Sequence, residues 1–375
     1  MLRQNLVRID LDAIRHNYRI LQKHVGERVK VMAVIKANAY GHGMVECARA
    51  LAAIGVDHFA VASPEEGVEL RLAGVEGEIL VLGPAMPRAA QEAIRHSLTQ
   101  TVFTPEMVGC LNAEAQALGM QALVHVKLDT GMNRIGLRSC QEAQALADAL
   151  KAAPHVKATG VYTHFADADD PESPGALNDF SQKQLERFER LRQYFDAPAH
   201  AANSAVGIIA PKAWFGMVRE GISLYGYPPI PTDLPFRPAL KWSTEVTHVK
   251  TVHAGDTIGY GRTFAAERDM RVATIAVGYG DGYHRAASNR GSVLIRGRRA
   301  PILGRVCMDQ TMVDVSAIAE CEVGDEAVLI GTQGESAITA EDVAQWAQTI
   351  SYEVLLAITP RVPRVFDGAD VEKSE

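Results

Sequence analysis

Apolar and amphipathic stretches alternate regularly along the first part of the chain. Short apolar runs lie at residues 29–35, 57–62, 78–82, 99–103, 121–128, 156–163, 198–202 and 216–219. Segments between them, such as 64–72 and 179–188, have the spacing of amphipathic helices, and Pro64 occupies a first-turn position. Eight strands alternating with helices over about 200 residues predict an α/β fold, an N-terminal (β/α)8 TIM-type barrel. A doubly wound open sheet is the alternative, but no G-x-G-x-x-G motif follows the first run.

The pattern changes at a proline-rich segment. Residues 226–238 contain five prolines in thirteen positions, which predicts a stiff linker and neither a helix nor a central strand. β-rich segments follow at 244–249, 272–277, 292–295 and 327–330, and one helix is expected around 340–350. We therefore predict a barrel over residues 10–235 and a mostly antiparallel β domain over residues 236–375.

Composition narrows the class of protein further. The chain has 375 residues, 22% of them charged, and a formal net charge of −7, which argues against nucleic acid or an anionic membrane as the main partner. The five cysteines are scattered without C-x-x-C spacing, which favours a reducing compartment. No apolar run reaches 18 residues, and no signal-peptide pattern opens the sequence. We expect a soluble, cytoplasmic protein.

Polar side chains follow several of the predicted barrel strands, where the active residues of such barrels lie. They are Lys36, Lys127, His164, Asn203, Ser204, Arg219 and Gly221. A lysine at the inner end of a strand can be desolvated, which lowers its pKa and suits it to form a Schiff base. Taken singly, His164 could equally be a structural histidine and Ser204 a helix N-cap.

The last two strand ends predict a phosphate site. The N–H groups that follow Ser204 could bind an anion, and Gly221-Ile222 could bring further backbone N–H groups close. A phosphate site facing a Schiff-base lysine points to pyridoxal phosphate.

The whole chain resembles the alanine racemases, fold-type III enzymes that use pyridoxal phosphate. The matching segments, in order, are 36–43, 127–136, 162–165, 202–205, 219–226, 259–264, 278–283, 304–309 and 351–354. The resemblance implies a racemase that interconverts L-alanine and D-alanine by removing and returning the Cα proton on opposite faces. It also implies that the strand near Leu6–Ile9 pairs with the β domain.

The family's residues map onto this chain position by position. The resemblance implies that Lys36 forms the Schiff base with pyridoxal 5'-phosphate and is the base for the D-enantiomer, and that Tyr260 is the base for the L-enantiomer. It also implies that His164 and Arg219 form a hydrogen-bonded chain behind that tyrosine. The implied cofactor ligands are Tyr40, Asn203, Ser204, Gly221, Ile222 and Tyr352. The implied substrate-binding residues are Arg134, Met308 and Tyr279.

The resemblance also implies specific roles for two cationic side chains, Arg219 and Lys127. In the family Arg219 faces the pyridine nitrogen, and because arginine only donates hydrogen bonds it leaves that nitrogen unprotonated, which favours racemisation over transamination and decarboxylation. Lys127 stands where some members carry a carbamylated lysine, and an unmodified lysine beside Arg134 would be repulsive. No metal is expected.

The resemblance also implies a partner. Tyr260 and Met308 belong to the second domain and are expected to reach the active site of the other subunit of a head-to-tail homodimer. The alternatives are a serine or broad-specificity racemase of the same fold, a decarboxylase, which would carry a carboxylate in place of Arg219, and a non-catalytic cofactor carrier. Supply of D-alanine for peptidoglycan and catabolism of alanine both remain open as roles.

Overall fold

The computed structural model describes residues 5–170 and 175–368, which fold into two compact units. One unit contains Asp12–Ala39 and Met44–Arg237. The other contains the described residues up to Leu11, the short segment Tyr40–Gly43, and the described residues from Pro238 onward.

The first unit is the predicted barrel. Its eight parallel strands are β2 (Lys30–Val34), β3 (His58–Val61), β4 (Glu78–Pro84), β5 (Thr99–Val102), β6 (Ala122–Lys127), β7 (Val156–Tyr162), β8 (Ala199–His200) and β9 (Met217–Glu220). They are hydrogen-bonded in the order β8-β7-β6-β5-β4-β3-β2-β9. Gly216 N–H donates to the Ala199 carbonyl at 3.2 Å, and Arg219 N–H donates to the Ala202 carbonyl at 3.1 Å. These two bonds link β9 to the region of β8, so the sheet closes and the barrel prediction is confirmed.

Helices lie between the barrel strands. They are α1 (Leu11–Val25), α3 (Met44–Ala52), α4 (Pro64–Leu72), α5 (Ala90–Arg95), α6 (Pro105–Leu118), α7 (Cys140–Lys151), α8 (Asp179–Arg192) and α9 (Ser204–Ile209), with the short left-handed turn α2 (Lys36–Tyr40) before α3. Local sequence sets their bounds. Ser63 caps α4 with Pro64 in its first turn, and Ser139 with Glu142 forms a capping box at α7.

The proline-rich segment after the barrel contains neither helix nor strand between Tyr227 and Ala239, as predicted. Its end is fastened to α1. The Asn17 side chain accepts from Arg237 N–H at 2.8 Å and donates to the Arg237 carbonyl at 2.8 Å. The segment is therefore held at a defined place and does not act as a free tether.

The second unit is built on a mostly antiparallel nine-stranded sheet. Its strands are β1 (Leu6–Asp10), β10 (Leu240–Val252), β13 (Met270–Ile275), β14 (Ser292–Ile295), β15 (Arg298–Pro301), β16 (Thr311–Asp314), β17 (Glu326–Gln333), β18 (Ser336–Ile338) and β19 (Arg364–Asp367), and a separate ribbon is formed by β11 (Thr257–Ile258) and β12 (Phe264–Ala265). β1 lies between β10, to which it is antiparallel, and β19, to which it is parallel.

Two helices accompany this sheet, α10 (Ala340–Ala347) and α11 (Ser351–Ala357). The predicted helix at 340–350 therefore ends earlier than expected, because Gln348 adopts the left-handed conformation (φ 58°) and stops it. A cluster of buried apolar side chains under β10 and β13 forms part of the core of this unit, including Val252, Ile258, Met270, Val272 and Leu303. Among the described residues, no helix combines the length and apolar character needed to cross a membrane.

Candidate active site

Lys36 lies directly after β2, at the carboxyl end of the first barrel strand. Burial lowers the pKa of its amine, and the positive charges of Arg134 and Arg219 lower it further against the opposing effect of Glu66. The structure thus brings Lys36 into the electrostatic reach of two of the predicted arginines. A lysine in this environment is more easily deprotonated and is suited to act as a nucleophile or a base.

The backbone after Lys36 is strained. Ala37, Asn38, Ala39 and Tyr40 all have φ between 52° and 54°, so they form one turn of left-handed helix without a glycine. Each such residue costs about 1–2 kcal/mol relative to the right-handed form. Strain of this kind persists only where neighbouring contacts fix it, and it is often found at functional sites.

Hydrogen bonds from the barrel hold this turn. Both carboxylate oxygens of Glu66 are used, one accepting from Ala37 N–H and the other from Ala62 N–H, each at 2.7 Å. The Asn38 side chain accepts from Met44 N–H at 2.9 Å at the start of α3. The start of the turn is thereby tied to the end of β3, which fixes where Lys36 leaves the strand.

Arg219 is held firmly in the barrel by several acceptors. Its guanidinium is buried and donates to the carbonyls of His200, Ala201 and Thr163 at 3.2, 3.2 and 2.7 Å. One nitrogen also lies 3.0 Å from His200 Nδ1. Burial lowers the pKa of Arg219 to about 10, so it stays protonated near neutral pH. Among the described residues no carboxylate pairs with it, and it is bound by neutral acceptors.

His164 and Arg219 are brought together as the sequence predicts. His164 Nδ1 lies 3.5 Å from a guanidinium nitrogen of Arg219. Burial and then the charge of Arg219 hold the pKa of His164 well below its usual value, so the imidazole is neutral near pH 7. A neutral imidazole beside a fixed guanidinium can accept one hydrogen bond and donate another.

Lys127 ends β6 and is buried. Its amine donates to the Leu128 carbonyl at 2.9 Å and lies 5.4 Å from the centre of the Tyr162 ring. Burial, followed by the charge of Arg219, lowers the pKa of Lys127 to about 7. A substantial fraction of this lysine is therefore uncharged at neutral pH.

The residues predicted to hold a phosphate lie where β8 and β9 end. The N-cap of α9 is Asn203, whose side chain accepts from Val206 N–H at 3.2 Å, and not Ser204 as one reading of the sequence suggests. Ser204 Oγ instead accepts from Gly221 N–H at 2.9 Å. This bond places the start of α9 beside Gly221 and Ile222, where a short 3-10 turn (Ile222–Tyr225) begins.

Arg134 lies on a loop that one carboxylate organises. Asp129 Oδ1 accepts from Gly131 N–H at 3.1 Å and from Asn133 N–H at 2.9 Å, and Asn133 has φ 55°. The loop thereby presents Arg134 as an exposed side chain. Its charge nevertheless acts on Lys36, Lys127 and His164, whose pKa values it lowers.

The predicted residues of the second unit form two groups. Tyr260 and Met308 line a surface hollow of about 490 Å³, together with Gly259, Cys307, Asp309 and Gln310. Tyr279 is adjacent, since its N–H donates to the Cys307 carbonyl at 3.0 Å. Tyr260, Met308 and Tyr279 are 69%, 52% and 41% exposed and lie next to one another. Separately, the Tyr40 and Tyr352 rings pack with their centres 6.0 Å apart.

Sequence reasoning missed three polar residues of the barrel. Glu66 supports the strained turn, His200 contacts Arg219, and Glu220 lies buried at the end of β9. His200 and Glu220 interrupt otherwise apolar strand segments, and a polar residue inside a buried strand was the signal that could have found them. Glu66 carried no such signal, because a glutamate in the first turn of a helix is ordinary.

Comparison with known proteins identifies the family. Residues 9–229 match the model of the alanine racemase N-terminal domain, and residues 239–366 match that of the alanine racemase C-terminal domain. An alanine racemase of Symbiobacterium thermophilum is 45% identical over 376 aligned positions, which cover 98% of each chain.

Solved structures agree with the sequence comparison. The alanine racemase of Streptomyces lavendulae superposes with a TM-score of 0.90 at 37% identity, over 98% of both chains. That of Bacillus anthracis, determined with bound L-Ala-P, gives a TM-score of 0.89 at 36% identity, over 98% of this chain and 96% of the other. The chain therefore belongs to the alanine racemase family and is an isomerase.

Proposed function

We propose that the protein interconverts L-alanine and D-alanine with pyridoxal 5'-phosphate as cofactor. The observation that carries this proposal is Arg219, a donor-only cation fixed by four acceptor contacts and within electrostatic reach of the buried amine of Lys36. A lysine with a lowered pKa supplies the amine that binds the cofactor aldehyde, and a buried arginine supplies the partner for the ring nitrogen. The names of the relatives agree with this reaction.

The donor set at the ends of β8 and β9 fits a phosphate. The first turns of α9 and of Ile222–Tyr225 carry N–H groups that have no acceptor within their own helices. Glu220, the nearest carboxyl along β9, is fully buried, and burial raises its pKa well above the usual value, so its charged form is disfavoured beside the phosphate. Asn203, Ser204, Gly221 and Ile222 would hold the phosphate, with Tyr40 and Tyr352 as further ligands. The bound cofactor would acidify the Cα–H of alanine.

Proton exchange at Cα needs one base on each face. Lys36 is proposed for the D-enantiomer, supported by the lowered pKa of its amine. Tyr260 of a second copy is proposed for the L-enantiomer, supported by its exposure on the surface of the second unit. Arg219 would then donate to His164 Nδ1, and the other ring nitrogen of His164 would donate the hydrogen bond that stabilises the tyrosine in its deprotonated form.

Arg219 also accounts for reaction specificity. With a pKa of about 10 it donates a hydrogen bond near neutral pH without giving up its proton. The ring nitrogen opposite would stay unprotonated and would withdraw electrons weakly, so a proton returns to Cα faster than competing bonds break. Arg134 and Met308 would bind the substrate carboxylate, and Tyr279 with Tyr352 would restrict the side chain to about the size of a methyl group.

We propose further that Lys127 is carbamylated. A lysine whose pKa is lowered to about 7 is partly uncharged, and only the uncharged amine attacks carbon dioxide. The uncharged amine forms an N–C bond to carbon dioxide and releases one proton to give a carbamate. Counted from the protonated lysine, two protons leave, so a cation near Arg219 and Arg134 becomes an anion. ¹³C NMR after equilibration with labelled bicarbonate should show one carbamate signal that is absent in Lys127→Ala. Its absence from the wild-type protein would exclude the modification.

A solvent-exchange experiment tests the reaction. The holoenzyme is incubated with L-alanine in D₂O, and optical rotation, deuterium at Cα and pyruvate are followed together. We expect loss of rotation with deuterium gain, little pyruvate, and no exchange with Lys36→Ala, while Lys151→Ala on the surface of α7 behaves as wild type. Pyruvate or carbon dioxide as the main product, or cofactor binding without exchange, would contradict the proposal. A parallel reaction with L-serine tests the broad-specificity alternative.

The physiological role follows from a growth experiment. If a strain that lacks the gene needs added D-alanine to grow, the protein supplies D-alanine for peptidoglycan. If that strain grows normally but cannot use alanine as a carbon source, the protein serves catabolism.

A further inference from the structure

A file of polar side chains crosses the interior of the barrel, which in this fold is usually filled by branched apolar residues. It contains Glu78 at the start of β4, His125 on β6, His200 on β8 and Arg219 near the end of β9. The first three come from alternate strands, which share the interior layers of such barrels. The file therefore joins the amino-terminal rim of the barrel to the guanidinium at its carboxyl end.

The contacts along the file are short. Arg219 lies 3.0 Å from His200 Nδ1, and His200 Nε2 lies 3.0 Å from His125 Nδ1. His125 Nε2 lies 3.0 Å from Glu78 Oε1. His125 Nε2 and Glu78 Oε1 are within hydrogen-bond distance, although they are not aligned as in a well-formed hydrogen bond. Neither atom has another hydrogen-bond partner among the described residues, so each is the available partner of the other.

The two ends determine the direction of every hydrogen bond. Arginine can only donate, so His200 Nδ1 must accept, and the proton of neutral His200 lies on Nε2. That proton is donated to His125 Nδ1, which places the proton of His125 on Nε2, facing Glu78. An ionised carboxylate can only accept, so only one arrangement of protons gives each contact along the file one donor and one acceptor.

The charges fit this arrangement. Burial, then the charge of Arg219, holds the pKa of His200 well below its usual value, which keeps this imidazole neutral. Burial would raise the pKa of Glu78, but His125, His58 and Lys30 outweigh that effect and lower it, so the carboxyl is ionised near neutral pH. Lys127 also faces the file, and in its protonated form it lowers the pKa of His200 further.

Packing fixes the two rings. The Tyr162 ring stacks on His200 with centres 5.0 Å apart and an angle of 6° between the planes. Gly160 lies against His125 so closely that a Cβ there would come within 2.6 Å of ring atoms. Neither imidazole can rotate without disturbing these contacts, so the direction of the hydrogen bonds is built into the core.

We propose that Glu78 is a positioning residue for catalysis, which acts through His125 and His200 to fix Arg219 in its donating geometry at the mouth of the barrel. By accepting the hydrogen bond of His125 Nε2–H, Glu78 makes each ring a better acceptor for the preceding donor. Arg219 has no carboxylate partner of its own among the described residues, and Glu78 serves as its remote counter-charge. This inference rests on the proposed role of Arg219, but the proton arrangement itself does not.

Imidazole ¹⁵N NMR of the holoenzyme tests the proton arrangement directly. At pH 7.5 we expect His125 and His200 each as a single neutral form with the proton on Nε2. In Glu78→Leu, His125 Nε2 loses its acceptor, so its ¹⁵N and N–H proton signals should move toward those of an imidazole without a hydrogen bond, whereas Glu78→Gln, whose amide oxygen still accepts, should keep them. Asp57→Asn is the matched control, because Asp57 is a carboxylate at the same rim that contacts His58 and not His125.

Kinetics of alanine racemisation tests the consequence for Arg219. Loss of one charge-assisted contact should lower kcat of Glu78→Leu about tenfold, with KM changed by less than about twofold. Glu78→Gln should retain at least about a third of wild-type kcat, since it keeps the acceptor. The Asp57→Asn control should match the wild type.

The outcomes are separable. A proton on Nδ1 of either histidine in the wild type, or an unchanged spectrum and kcat in Glu78→Leu, would overturn the proposal. If Glu78→Leu does not fold, the wild-type spectrum and the Glu78→Gln variant decide. Should the protein not racemise alanine while the NMR expectations hold, the proton arrangement stands and the proposed function fails.

Discussion

Glu220 lies in the wall of the barrel with neither carboxyl oxygen in a well-formed hydrogen bond among the described residues. One oxygen packs against Gly207 of α9, where even a Cβ would not fit. A buried carboxyl in this position is unfavourable for folding, because it has lost water without gaining a good partner. It is tolerated at the price of stability, and its neutral form suits the neighbouring phosphate site.

Replacing Glu220 should therefore stabilise the protein. Burial raises the pKa of Glu220 well above its unfolded value of about 4.3. Above that pH the folded protein therefore binds more protons than the unfolded protein, and the free energy of unfolding falls as the pH rises. We expect Glu220→Met to raise the free energy of unfolding by about 1–3 kcal/mol at pH 8 and by less at pH 5.

Urea unfolding at the two pH values measures this difference. Glu189→Met, at an exposed position of α8, is the control and should change stability little. A destabilised Glu220→Met at pH 8 would mean that the carboxyl has a strong partner, and the prediction would then be wrong.

At the scale of elements, the left-handed turn after Lys36 has a backbone conformation that its own residues do not favour. The turn carries four consecutive non-glycine residues at positive φ, and the hydrogen bonds of Glu66 and Asn38 help to hold it. Its strain keeps the chain from continuing as an ordinary right-handed helix after β2. The direction in which Lys36 leaves the strand is fixed as a result.

Substitutions at Ala37 test this strain, because the side chain is exposed and loses no packing. Ala37→Gly should leave the free energy of unfolding unchanged or raise it by up to about 1 kcal/mol, since relief of the strained φ offsets the greater freedom of the unfolded chain. Ala37→Val should lower it by about 1–2 kcal/mol, because a branched Cβ fits this conformation poorly. Chemical denaturation distinguishes the two, and equal effects would show that the turn is unstrained.

Much of the fold could be predicted from the sequence, because the period of apolar residues reports burial directly. The run at 29–35 contains β2 and the run at 156–163 contains β7. The left-handed turn could not be predicted, since Ala37 and Ala39 individually favour right-handed helix and long-range contacts override them. The sequence also placed Lys36, His164, Arg219 and Ser204 at strand ends, but the polar file through the barrel depends on register between strands, which one sequence does not reveal.

At the scale of the whole molecule, the proposed dimer follows from exposure. Tyr260, Met308 and Tyr279 form an apolar group on the second unit that water disfavours. If Tyr260 acts in the site of a second copy, two inactive variants should complement each other. Lys36→Ala retains Tyr260, and Tyr260→Phe retains Lys36, so a mixed dimer contains one intact site.

Mixing equal amounts of the two variants after reversible dissociation should restore about a quarter of wild-type activity, since half of the dimers are mixed and each has one working site of two. Each variant alone is nearly inactive and serves as its own control. No recovery, with mixed dimers demonstrated by mass spectrometry, would show that Tyr260 acts within its own chain or not at all.

The place of β1 in the sheet has a consequence for how the protein is made. Leu6 pairs with Ser243, and Val7 pairs with Arg364, so β1 lies between two strands that are synthesised much later. At about 5–20 residues per second, its first partner emerges some ten to fifty seconds afterwards and its second later still. All eight barrel strands are translated in that interval, and the nascent chain must keep an apolar strand unpaired throughout. We expect chaperones to act on this protein at its first strand.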